Sequence, residues 1–114
     1  MEKYKPEVLK QPKLKPTRLN ELQAYQVIFE KMLFGEIQPS AANRFLRLLQ
    51  EVEELQEFGQ RPNLEEELEK NEALKKAVVG EIVDVMILSI NVLHHLGFDA
   101  ENAILEKMNI NFSK

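Results

Sequence analysis

The 114-residue chain is 44% apolar and 30% charged with a formal charge of −4, the proportions of a folded domain rather than of a disordered chain. It has no cysteine, which excludes a disulfide framework, a thiolate metal site and a cysteine nucleophile and agrees with a reducing, cytoplasmic setting. Basic residues concentrate in residues 1–18, whereas residues 51–72 carry nine acids against Arg61 and Lys70; an acidic body argues against nucleic acid and for a bound cation. The longest apolar run carries Ser89 and Asn91 and reads as too short and too polar to span a bilayer. No apolar stretch follows the N-terminal lysines, so no secretory leader is expected.

Residues 1–16, with Pro6, Pro12 and Pro16, read as an extended arm ahead of a single domain over residues 17–114. Thr17 is a candidate cap for a first helix to about Leu33, with Leu22, Ile28, Phe29 and Met32 or Leu33 as its buried stripe. Gly35 and Pro39 break it. Ser40 caps a second helix from Ala41 to about Phe58, closed by Gly59. Phe45, Leu48, Leu49, Val52 and Leu55 form its apolar face, with Glu51 and Glu54 on the flank and Arg44 and Arg47 in solvent. Asn63 and Asn71 are candidate caps for a short acidic helix over Leu64–Lys70 and for a long helix ending at Leu96 before Gly97, and the spacing leaves open whether the two helices merge. Asp99 caps a last helix to about Asn111, with Ala103, Ile104 and Met108 inward. No strand pattern occurs. The expectation is an all-α bundle of four or five helices.

Between Glu81 and Leu96 the long helix is apolar on nearly every side, which predicts burial all round. It opens with Glu81 and Asp84, three residues apart and therefore on one face. A buried Asp84 requires a positive partner. The second helix repeats the spacing with Glu51 and Glu54. If the two helices pack together, four carboxylates converge, and two unit charges ~5 Å apart at an effective dielectric of ~20 repel by roughly 3 kcal/mol. A cation relieves this, and an all-oxygen set suits Mg²⁺ or Mn²⁺ better than zinc or copper.

Glu51-Val52-Glu53-Glu54, Glu81-Ile82-Val83-Asp84, Leu96-Gly97-Phe98-Asp99 and Lys107 with Asn111 together resemble the MazG-like all-α nucleoside triphosphate pyrophosphohydrolases, whose pattern is E-x-x-E, E-x-x-D, L-G-x-D and K-x-x-x-N-x-x-R. The resemblance covers about residues 19–114. It implies Mg²⁺-dependent cleavage of an NTP or dNTP between the α and β phosphates, in the clearing of unwanted nucleotides from the pool, by a homodimer or homotetramer. By position, Glu51, Glu54, Glu81 and Asp84 would hold the metal and Lys107 and Asn111 would contact phosphate oxygens. Lys114 stands where the family usually has arginine and lacks that residue's bidentate fork. Gln50 replaces a frequent glutamate, and the family's base-stacking tryptophans are absent. Asn91, two turns beyond Asp84, is a further candidate for substrate contact, and His95 shares that face.

A phosphoribosyl-ATP pyrophosphohydrolase and a helical interaction module that no longer catalyses are the competing readings. A di-iron carboxylate bundle requires E-x-x-H on two helices, which the chain lacks.

Overall fold

The computed structural model describes residues 18–114. The proline-rich arm and the Thr17 cap lie outside the described residues. The chain is all-helical: α1 Leu19–Phe34, α2 Ala41–Gly59, α3 Leu64–Lys70, α4 Glu72–His95 and α5 Ala100–Phe112, with no strand among the described residues. It forms two compact units, one of residues 18–39 with Ile90–Lys114, the other of Ser40–Ser89.

In the first unit, α1 and α5 pack beside the last turns of α4. The turn between α4 and α5 is set by Gly97, whose φ of +89° is open to glycine at little cost. Phe98 N–H donates to Leu93 O and Gly97 N–H to His94 O, so the last carbonyls of α4 are satisfied by the chain that leaves it. Asp99 then starts α5 as expected, accepting from Asn102 N–H at 2.9 Å, a bond that holds its carboxyl below the usual aspartate range. From α1, Gln23 donates to Ile90 O and Phe98 O and accepts from Ala100 N–H. Asn20 donates to Asp99 and accepts from Glu101 N–H. The Leu96–Asp99 turn is thus clamped by two amides.

That clamp changes which residues of α1 are inside. Of the expected stripe only Ile28 is buried, whereas Leu22, Phe29, Met32 and Leu33 are exposed. Gln23 and Glu30 are buried instead, because their polar groups have partners at the end of α4 and in the turn that follows it. In α5, Ala100 is fully buried and Ala103 half-buried, but Ile104 and Met108 face solvent.

In the second unit, Ser40 caps α2 by accepting from Asn43 N–H, and Asn71 caps α4 by accepting from Leu74 N–H. Asn63 makes no such bond. Extended backbone at Asn71 (φ −119°, ψ 98°) keeps α3 and α4 separate. The short connection through α3 joins α2 to α4 within this unit. Each turns one line inward: Arg44, Leu48, Glu51, Leu55 and Phe58 on α2, and Leu74, Val78, Glu81, Val85 and Leu88 on α4, all buried or half-buried. The expected apolar face of α2 is therefore split, because Phe45, Leu49 and Val52 remain about half exposed. Arg44, expected in solvent, is buried.

The expectation that α4 is buried all round does not hold within one chain. Val79, Ile82, Val83 and Met86 are exposed, since a single neighbouring helix covers only one side of a cylinder. By length and composition α4 is also the one described helix long and apolar enough to cross a membrane, against the expectation from the shorter run. It carries Glu81 and Asp84 near its middle, where each charge would cost about 2.5–3.5 kcal/mol in a bilayer.

Candidate metal centre

The second unit brings the acids together. One carboxylate oxygen from each of Glu51, Glu81 and Asp84 lies within 4.8 Å of the others. Glu54 stands beside Glu51 and Glu81 and raises the proton affinity of both. Each helix contributes one acid on its inward line, Glu51 or Glu81, and one rotated toward solvent, Glu54 or Asp84. The i, i+3 spacing produces this difference, because three residues advance about 300° and leave the second acid about 60° short of the first.

Asp84 was expected to be the buried member. It is exposed, and the half-buried acids are Glu51 and Glu81. The Oε2 atoms of both glutamates are shut off from water with no hydrogen-bond donor on them. An ionised carboxylate in that position is poorly tolerated. The electrostatics agree: loss of solvent, followed by the nearness of Glu54 and Glu51, pushes the Glu81 carboxyl up to about 7. Loss of solvent, followed by the charges of Glu54 and Asp84, raises Glu51 as well. At neutral pH the pair therefore holds a proton part of the time, and the proton does in a small way what a divalent cation does more completely.

The remaining candidates fall in the first unit. Lys107, Asn111 and Lys114 follow one exposed side of α5 and its end. Asn91 is 2% exposed and its amide donates to Glu30 of α1. In this arrangement it is turned toward the protein, with its Oδ1 buried and lacking a donor. His95 Nε2 lies 3.6 Å from the other oxygen of Glu30. Sequence reasoning did not single out Glu30 or Gln23. Their only signal is a polar residue at helical spacing among the apolar positions of α1, seven apart and hence on one side.

Neither models of known protein families, nor characterised proteins, nor solved structures give a match to this chain. The resemblance therefore rests on the four short motifs themselves. Of these, the two acidic motifs form one cluster, and the Leu96–Asp99 motif forms the clamped turn.

Proposed function

We propose that the chain is a Mg²⁺-dependent nucleoside triphosphate pyrophosphohydrolase acting on an NTP or dNTP. The observation that carries this reading is the pair of shielded, donor-less oxygens of Glu51 and Glu81 on facing helices, with Asp84 completing the triple. Three carboxylates fit a hard cation that retains water and shares its remaining positions with phosphate. When bound, such an ion neutralises phosphate charge and lowers the pKa of a coordinated water.

The chain's own residues divide the work. Glu51, Glu81 and Asp84 would hold the cation, the two glutamates from the inward lines and Asp84 from the exposed side. Glu54 stands next to both glutamates but outside the triple, and it would accept the proton of the attacking water. The water oxygen bonds to the α phosphorus, the bond from that phosphorus to the bridging oxygen breaks, and pyrophosphate leaves with the electron pair. Lys107, Asn111 and Lys114 are assigned to phosphate oxygens by the resemblance alone.

The test is a panel of NTPs, dNTPs and phosphoribosyl-ATP with Mg²⁺, read as pyrophosphate release. Turnover of at least one is expected, and Glu54→Gln should lower kcat by about 10²–10⁴-fold while Mg²⁺ still binds. No release from any member of the panel would refute the reading.

A further inference from the structure

Glu30, Asn91 and His95 bring a carboxylate, an amide and an imidazole together in the first unit, between α1 and the last turns of α4. Asn91 and His95 are four residues apart on α4 and so share a face, which Glu30 meets from α1. The Glu30 side chain is only 3% exposed and that of His95 is 28% exposed. The carboxylate therefore lies inside, and the imidazole stands between it and solvent.

Two features of this arrangement point to a ligand. His95 Nε2 lies 3.6 Å from Glu30 Oε1, too far for a good hydrogen bond between them. Two ligand atoms held about 2.0–2.2 Å from a tetrahedral ion are about 3.3–3.6 Å apart, so the separation matches two ligands of one ion. The second feature is Asn91, which is 2% exposed. Its Nδ2 donates to Glu30 Oε2, and because the amide oxygen and nitrogen belong to one group, Oδ1 stays near the same carboxylate. That oxygen is shut off from water and accepts no hydrogen bond from the described residues. A buried acceptor in this state costs about 1–3 kcal/mol until a donor or a cation meets it.

We propose that Glu30 Oε1, His95 Nε2 and Asn91 Oδ1 form a second cation site, one that takes a divalent ion of the zinc type. An imidazole among the ligands favours zinc, cobalt or nickel, whereas Mg²⁺ prefers oxygen alone. Three protein ligands leave a fourth position for water. Asn91 serves twice, since the N–H it gives to Oε2 also fixes the direction in which Glu30 presents Oε1. An ion bound here joins α1 to the end of α4, linking positions 61 apart in the chain, and its binding energy adds to the stability of the first unit. The inference uses none of the acids assigned to Mg²⁺ and does not rest on the proposed activity.

The experiment follows the imidazole nitrogens and side-chain carboxyls of the full, isotope-labelled chain by NMR as Zn²⁺ is added, with Mg²⁺ in excess to occupy the acid cluster. The expected result is that His95 Nε2 and the Glu30 carboxyl shift together and saturate together. His94, whose ring centroid is 5.1 Å from that of His95, is the internal control, and its nitrogens should not take the ion. Glu30→Gln should weaken the binding read at His95 by more than the ~10–100-fold that even an outer partner of a metal ligand is worth. A His95 ring that does not respond overturns the proposal. So do equal shifts of both histidines, or a His95 shift without the Glu30 carboxyl, each of which describes an adventitious surface imidazole. Unchanged affinity in a folded Glu30→Gln overturns it as well. The carboxyl readout is made on the unaltered chain, so it decides the matter even where Glu30→Gln does not fold.

Discussion

Binding of a divalent cation at the acid cluster should expel protons, in an amount set by Glu81. With its carboxyl pushed up to about 7, Glu81 is protonated in about half of the molecules at pH 7, so about half a proton leaves per ion bound. The number should fall toward zero by about pH 8.5 and rise toward one near pH 6, with Glu51 adding to it further into acid because its pKa is raised as well. Affinity should then fall by up to tenfold per pH unit below 7. Calorimetry of Mg²⁺ or Mn²⁺ binding in buffers of different ionisation enthalpy measures both quantities. The sign for stability follows from the same shift. The folded state holds its proton more tightly than the unfolded chain, so between the ordinary glutamate range and about pH 7 the ion-free protein loses stability as pH rises. Added Mg²⁺ should restore stability at pH 8 and do little at pH 5. In Glu81→Gln the proton release should vanish along with most of the affinity, and ion-free stability at pH 8 should rise. Ion binding without pH-dependent proton release, or an ion-free protein more stable at pH 8 than at pH 5.5, would refute the reasoning.

Gly80 lies inside α4, and a Cβ built on it meets nothing within 4 Å. Gly80→Ala should therefore stabilise the protein by about 1 kcal/mol, seen as a higher urea midpoint with an unchanged slope; no gain would mean that the helix is distorted there. Gln23→Ala removes a buried side chain that donates to two carbonyls and accepts from one N–H. It should destabilise by roughly 3 kcal/mol, since unsatisfied buried groups cost about 1–3 kcal/mol each. A loss below about 1 kcal/mol would show that water replaces the amide.

Helix boundaries were legible because the signals that set them are local. Ser40, Asn71 and Asp99 cap within three residues of themselves, and Gly97 turns the chain at its own φ. The acid cluster was legible for a similar reason, since i, i+3 pairs on two helices can meet only if the helices pack. Which apolar positions are buried was not legible. Phe45, Leu48, Leu49, Val52 and Leu55 share one arc of α2, and nothing in their spacing says that the contact line passes through Leu48 and Leu55 and leaves the others open. The exchange of roles between Asp84 and Glu81 has the same origin, an angular difference of about 60° that a periodicity argument does not resolve. Gln23 and Glu30 were missed because their partners lie 61 to 77 positions away.

The place of the two glutamates in the seam bears on why they are there. Leu48 and Leu55 flank Glu51, and Val78 and Val85 flank Glu81, along the inward lines of their own helices, so each glutamate interrupts an apolar stretch. Two leucines at these positions would pack without a desolvated charge, and replacing buried charged groups by apolar ones is often neutral or stabilising. Helix pairing therefore does not require acids at this point. A lone glutamate could turn toward solvent, but two this close cannot both do so without opening the seam, and the observed compromise leaves one shielded oxygen on each. A proton satisfies one of those oxygens at most, and at neutral pH only part of the time. On the proposed reading, a divalent ion would meet both together with Asp84, a demand that suits a ligand carrying two charges and accepting several oxygens at once.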